Sequence, residues 1–214
     1  MNTPTTIAVA LAAIALAAVL GGYIIDRLNQ RPATRTLRIQ VIQGDITRQN
    51  VDAIVNAAKR TLLGGSGVDG AIHHAGGTDI LRACHHLRAT THPDGLPAGQ
   101  AVATTAGNLP AEWVIHTVGP VYDPTVPGQA ATLRSCYTES LRVAEKLGAE
   151  TVAFPLISSG VYGWPVADAI TQAITALNAA DTTVKTARLV LFDEDTYNTA
   201  QSLRLIDDTM KGLK

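Results

Sequence analysis

The run Leu63-Gly64-Gly65-Ser66-Gly67-Val68-Asp69-Gly70-Ala71-Ile72-His73 carries a glycine loop straight into an apolar, helix-like segment. Glycine lacks a Cβ, so the backbone here can approach a ligand closely and reach positive φ values. The free N–H groups of a helix's first turn then face an anion, assisted by the helix dipole. That is chemistry suited to a diphosphate. Asp69 falls in the same turn, where its carboxylate can accept hydrogen bonds from a sugar hydroxyl. A tight turn capping an ordinary helix would use the same glycines, and at the level of this one segment both readings stand.

A second glycine-bearing run, Ser158-Ser159-Gly160-Val161-Tyr162-Gly163, follows an apolar stretch later in the chain. Two such loops brought to one place clamp a diphosphate from both sides with backbone N–H donors and no Lys or Arg. Asp45, just after a strand-like run, can accept from an exocyclic amine such as that of adenine, or simply make an Asx turn. Tyr162 and Phe192 are candidate aromatic walls for a base or ribose, and equally candidates for packing. Other chemistries fit less well. There is no GxxxxGK[ST] loop, and the first strand lacks the GxGxxG and downstream acid of a nicotinamide-dependent oxidoreductase. No GxSxG elbow surrounds Ser158-Ser159. His73-His74 and His85-His86 with Cys84 suggest zinc, but adjacent histidines diverge on a helix, so neither metal nor cofactor is expected.

The elements that must hold these residues alternate. Leu37, Ile39 and Val41 alternate with polar neighbours up to Gly44, as in a half-buried strand. The spacing predicts strands over Asp52–Ala58, Ala101–Thr105, Trp113–Val118, Thr151–Ile157 and Ala187–Phe192, and helices over Val68–Ala75, Asp79–Leu87, Leu133–Leu147, Val166–Leu177 and Thr196–Ile206. Such alternation predicts a three-layer α/β/α sandwich with a mixed, largely parallel sheet. Ligands bind at the carboxyl ends of strands in that architecture, which is where Asp45, both glycine loops and Phe192-Asp193 fall.

The 214 residues suffice for one well-buried domain and an appendage. With aromatics at 4%, the core must rest on Ala, Val, Ile and Leu, and a net charge of -1 gives no reason to expect a nucleic-acid partner. Cys84 and Cys136 are expected to be reduced and buried. Ile7 to Ile25 carries no charge, and as a helix it would span roughly 28 Å, close to a bilayer core of roughly 30 Å. Residues 1–28 are therefore expected to form a single transmembrane anchor helix. A cleaved signal peptide is the rival, but the leader lacks a basic residue. Residues 29–36, with Pro32, read as a linker, and 37–214 as the domain. Arg27, Arg31, Arg35 and Arg38 against Asp26 predict a single-pass membrane protein with its domain in the cytoplasm.

Several motifs occur in an order that resembles the macrodomain family of ADP-ribose-binding modules, in particular the MacroD-type branch that includes bacterial O-acetyl-ADP-ribose deacetylases. They are Gln43–Thr47, Val51–Ala58, Gly64–His73, Gly99–Gly107, Val114–Pro120 and Ile157–Pro165, and the resemblance covers nearly all of Leu37 to Leu205. It implies that Asp45 holds the adenine amine, with a backbone contact from Ile46, and that Asn56 supports the distal ribose. Gly65, Ser66, Gly67 and Val68 would line one side of the diphosphate, and Ser159, Gly160, Val161 and Tyr162 the other. Phe192 or Asp193 would close the adenine end, and Asp69 would be the catalytic residue of the hydrolytic members.

The chain departs from that pattern at Lys59, ten residues before Asp69, where the hydrolytic branch has a second asparagine. Ser66 also interrupts a run that is normally all glycine. Lysine cannot accept a hydrogen bond. Turned inward, Lys59 would pair with the diphosphate or with Asp69; turned outward, it would leave Asp69 free to orient a water. The resemblance implies hydrolysis of ADP-ribose esters, from mono-ADP-ribosylated acidic side chains or O-acetyl-ADP-ribose. The alternative is a membrane-tethered reader of ADP-ribose or ADP-ribosylated proteins.

Overall fold

In the computed structural model, which describes residues 37–211 and side chains as far as Leu203, six strands form one sheet. The chain runs β1 (Arg38–Gln43), a 3-10 turn (Ile46–Arg48), β2 (Ala53–Ala57), α1 (Gly67–Gly76), α2 (Thr78–Thr90), β3 (Ala101–Thr105) and β4 (Trp113–Thr117). It continues through α3 (Gln129–Lys146), β5 (Thr151–Phe154), α4 (Val166–Asn178), β6 (Thr186–Leu191) and α5 (Glu194–Lys211). The strand order is β1-β6-β5-β2-β4-β3, and every neighbouring pair is parallel except β3 with β4. The three layers and the mixed, largely parallel sheet agree with the alternation read in the sequence.

Because helices cover both faces, the central strands are apolar throughout rather than alternating. Ala53 and Val55 of β2 pack with Leu133, Tyr137 and Leu141 of α3 and with Ala169 and Ala173 of α4. Ile54, one residue out of phase, packs on the opposite face with Ile72 of α1 and Ile80 and Cys84 of α2. Fully buried side chains such as Ile54, Tyr137 and Phe154 each stabilise the fold by about 1.5–3 kcal/mol. Asn56 follows Ile54 on the α1 face and is a buried polar exception in this strand.

Strand order also fixes where a ligand can enter. From β2 the chain proceeds to β3 and β4 on one side of the sheet, and from β5 it proceeds to β6 on the other. β2 and β5 are adjacent and parallel, so their carboxyl ends form a topological switch point with an open crevice. Both glycine loops leave from it.

β5 is shorter than the strand expected over Thr151–Ile157. Pro155 has no N–H to give to a ladder, and the chain turns at Ser158, whose φ of 66° is left-handed. The turn is pinned on two sides. Tyr137 Oη accepts from Ile157 N at 3.1 Å, and Ser158 Oγ donates to Pro120 O at 2.9 Å. Gly119 makes the second contact possible, since a Cβ there would overlap Ser158 Oγ and lie 2.7 Å from Ile157 Cγ2.

One expectation is corrected. Among the described residues no helix is long and apolar enough to cross a membrane, so the single-pass, cytoplasm-facing placement is withdrawn. The anchor assigned to 1–28 and the linker assigned to 29–36 lie outside the described residues.

Candidate functional site

The two glycine loops come together. A cleft of about 180 Å³ is lined by Ala57, Ala58 and Lys59 at the end of β2, by Ser66, Gly67, Val68 and Asp69 at the start of α1, by Leu156–Ser158 and Gly160–Tyr162 after β5, and by Gly119. Ser66 sits at the N-cap of α1 in extended backbone and makes no side-chain capping bond, so no side chain competes for the N–H groups of the first turn. Gly67 takes a φ of 62°, and its missing Cβ would point into open space.

Asp69 is 3% exposed at the inner end of this first turn. Asn56 Nδ2 donates to Asp69 Oδ1 at 2.8 Å and approaches His116 Nδ1 at 3.1 Å. Parallel pairing of β2 with β4 places Asn56 directly beside His116. His116 Nε2 lies 2.8 Å from Thr104 Oγ1 of β3 and 3.7 Å from Cys84 Sγ of α2. A line of polar side chains therefore crosses three strands beneath α1. Burial, reinforced by nearby His73, pushes the His116 imidazole down to about 3, so it is neutral at ordinary pH.

His73, one helical turn after Asp69, brings Nε2 to 3.4 Å from Asp69 Oδ1. Alignment is too poor for a hydrogen bond, and among the described residues three buried side-chain atoms lack protein partners: Asn56 Oδ1, Asp69 Oδ2 and His73 Nε2. Leaving each unpaired costs about 1–3 kcal/mol, which a ligand with hydroxyl groups would offset. The sequence points to His73 only as a zinc candidate and to His116 only as part of the Val114–Pro120 run, and it gives neither a role at the sugar end of the cleft. The i,i+4 spacing of Asp69 and His73 on one helix face is the readable signal for the former.

Lys59 is exposed at the cleft wall, with its stem under the first glycine loop. A Cβ on Gly65 would lie 2.8 Å from Asp69 Oδ2, 2.9 Å from Lys59 Cε and 3.3 Å from Lys59 Nζ, so glycine is required for both side chains to reach this spot. Lys59 thus adopts the inward of the two orientations. Among the described residues, however, it makes no ion pair with Asp69.

The remaining expected residues form a second group. Gly44 N donates to Leu191 O at 2.9 Å, so Asp45 and Phe192 follow the paired carboxyl ends of neighbouring strands β1 and β6. Asp45 Oδ1 accepts from Thr47 N at 2.8 Å and from Thr47 Oγ1 at 2.7 Å, so the Asx turn is realised through one oxygen. Its Oδ2 has only exposed Arg48, 3.7 Å away. The Ile46 side chain is buried, which leaves only its backbone for a ligand, and Phe192 is 80% exposed. Ser159 Oγ is turned back to Leu156 O at 2.9 Å. Asp45, Ile46, Asn56, Gly65, Ser159 and Phe192 do not line the 180 Å³ cleft itself. Asp193 caps α5 through Thr196, whose backbone and hydroxyl bonds hold the Asp193 carboxyl below its usual range.

One nitrogen each of His73 and His116 and the Cys84 sulfur lie within 4.8 Å of one another. They suit a metal poorly. Both His116 nitrogens already have hydrogen-bonding partners, and burial, together with the Asp69 charge, pushes the Cys84 thiol up to about 12. Cys84 and Cys136 are both buried and free, as expected.

Residues 55–173 match the Macro domain family. The chain is 56% identical over 161 residues to a macro domain-containing protein of Streptomyces nogalater, covering 75% of this chain and 88% of that one. It is 45% identical over 164 residues to a Pantoea vagans protein named O-acetyl-ADP-ribose deacetylase 1, covering 75% and 95%. The Oceanobacillus iheyensis macrodomain solved with ADP superposes with a TM-score of 0.76 at 36% identity, covering 82% and 95%. With its fold, its paired glycine loops and these relatives in agreement, the chain belongs to the macro domain family and is a macrodomain of the MacroD-like type.

Proposed function

We propose that the cleft binds ADP-ribose and hydrolyses an ester at its distal ribose, releasing ADP-ribose and a carboxylic acid. The unpaired Asn56 Oδ1 and Asp69 Oδ2, buried beside an otherwise loop-lined cleft, carry this reading. Two acceptors in one place suit two sugar hydroxyls. In this reading the diphosphate lies between Gly65–Val68 and Ser159–Tyr162 and draws on the N–H groups at the start of α1. Asp45 and Phe192 hold the adenine end.

Asp69 then stands beside the ester, where its carboxylate orients a water and takes a proton as the oxygen adds. The ribose oxygen leaves with a proton, so the reaction is charge-balanced. Loop amides stabilise the negative charge that develops. The Pantoea vagans relative's name supports the ester chemistry. Lys59 supports a second reading, binding without turnover, because an ammonium group beside the diphosphate strengthens binding but cannot accept a sugar hydroxyl.

Calorimetric titration with ADP-ribose, alongside turnover of O-acetyl-ADP-ribose and of a mono-ADP-ribosylated protein, separates the readings. The expected result is that ADP-ribose binds and that at least one substrate is turned over slowly by the wild type and faster by Lys59→Asn. Binding without turnover in either form would leave only the reader.

Asp45→Ala is expected to weaken ADP-ribose binding about tenfold, as loss of a charge-assisted hydrogen bond does. It also removes the cap of the 3-10 turn, at about 1 kcal/mol of stability. An unchanged dissociation constant would move adenine elsewhere.

A further inference from the structure

We propose that His116 is a positioning residue for the sugar end of the cleft: its neutral, Nε2-protonated imidazole takes one amide hydrogen of Asn56, Asp69 takes the other, and the Asn56 oxygen is thereby kept as an acceptor for a ribose hydroxyl. This rests on the ADP-ribose reading above. His116 does not line the cleft and acts only through Asn56.

One contact argues for the tautomer and a second is compatible with it. Asn56 Nδ2 can only donate, so His116 Nδ1, 3.1 Å away, accepts. At the other end of the ring, Thr104 Oγ1 lies 3.1 Å from Thr105 O and 2.8 Å from His116 Nε2, so a hydroxyl that donates to the carbonyl keeps a lone pair for Nε2–H. Cys84 Sγ, 3.7 Å from the same nitrogen, is a further weak acceptor. With the imidazole reversed, the Asn56 amide would have to turn its oxygen toward His116 Nδ1–H or toward the Asp69 carboxylate. Either arrangement spends or repels the acceptor that a sugar hydroxyl needs. His116 is 0% exposed, so no solvent competes for either nitrogen.

The test compares ADP-ribose with ADP, which lacks the distal ribose, by calorimetry on the full chain. The wild type binds ADP-ribose more tightly. His116→Leu loses about tenfold of that preference while its affinity for ADP stays within about twofold. His116→Asn, whose Oδ1 can stand near the lost Nδ1, recovers most of it. Equal weakening of both ligands, or an unchanged preference, overturns the positioning role and leaves the ADP-ribose reading intact. A wild type with no preference for ADP-ribose overturns the reading itself and this role with it. Nitrogen-15 NMR of the free protein supplies a ligand-independent check: Nε2 protonated and Nδ1 bare at pH 7 is expected, and the opposite tautomer overturns the proposal.

Discussion

Asp69→Asn is expected to lower turnover of an ADP-ribose ester by about 10²–10⁴-fold, the usual contribution of a positioned general base. The substitution is nearly isosteric. An amide oxygen at position 69 can still accept from Asn56 Nδ2, as the carboxylate does at 2.8 Å. Backbone N–H groups at the start of α1 are untouched, so ADP-ribose affinity should change by less than about tenfold. What is lost is the charge and the basic oxygen, Oδ2, that has no protein partner. The assay uses the wild type and the Lys59→Asn background side by side. Turnover within about threefold of the parent in both would remove Asp69 from the chemistry and return attention to His73, whose Nε2 lies 3.4 Å from the same carboxylate.

Stability should fall steeply in mild acid because of His116. In the folded protein its imidazole is held at about 3, whereas unfolding returns it to the ordinary 6.5. The unfolded chain therefore binds a proton that the folded chain refuses. Stability from this source is fully present above pH 6.5 and is lost as pH falls toward 3, at about 1.4 kcal/mol per pH unit. The total is on the order of 4–5 kcal/mol, a large share of the 5–15 kcal/mol that typically separates folded from unfolded chains. Asp52 acts in the same direction at lower pH. Burial raises its carboxyl, but hydrogen bonds from Thr151 and Glu150 outweigh that and hold it below its usual value. Urea unfolding at pH 7, 6, 5 and 4 therefore needs the His116→Asn variant as its reference. The wild type should lose about one proton's worth of slope more than the variant between pH 6 and pH 4. Parallel pH profiles would show that His116 is not held neutral by the fold.

Local pattern made the layers readable. Strand β2 was legible as a short apolar run and α4 as a helix starting at Val166, because both are governed by neighbours along the chain. Ends governed by distant partners were not. The strand ending at Phe154 was read three residues too long, since Leu156 and Ile157 look apolar whether they pair in a sheet or turn toward a cleft. In the site, both glycine loops and Asp69 announced themselves through residue type and spacing. The inward lie of Lys59 depended on Gly65, and the partnership of His116 with Asn56 depended on strand pairing across sixty positions. The second relation does not exist until β2 and β4 pair.

The buried line from Thr104 through His116 and Asn56 to Asp69 also guards assembly of the sheet. Asn56 and His116 meet because β2 and β4 pair with those residues side by side. A slip of one residue would set Ile115 or Thr117 opposite Asn56 and send His116 to the other face of the pleat, among the apolar side chains of α3. Asn56 would then keep its bond to Asp69 but lose the His116 acceptor for its second amide hydrogen, a penalty of about 1–3 kcal/mol that falls on the misaligned form alone. Apolar neighbours such as Val55 and Ile115 tolerate several alignments; the polar line tolerates one. A molecule competent to bind a sugar at Asn56 and Asp69 is thus one whose central strands are already in correct alignment, and ligand affinity becomes a gauge of folding fidelity in any variant of this protein.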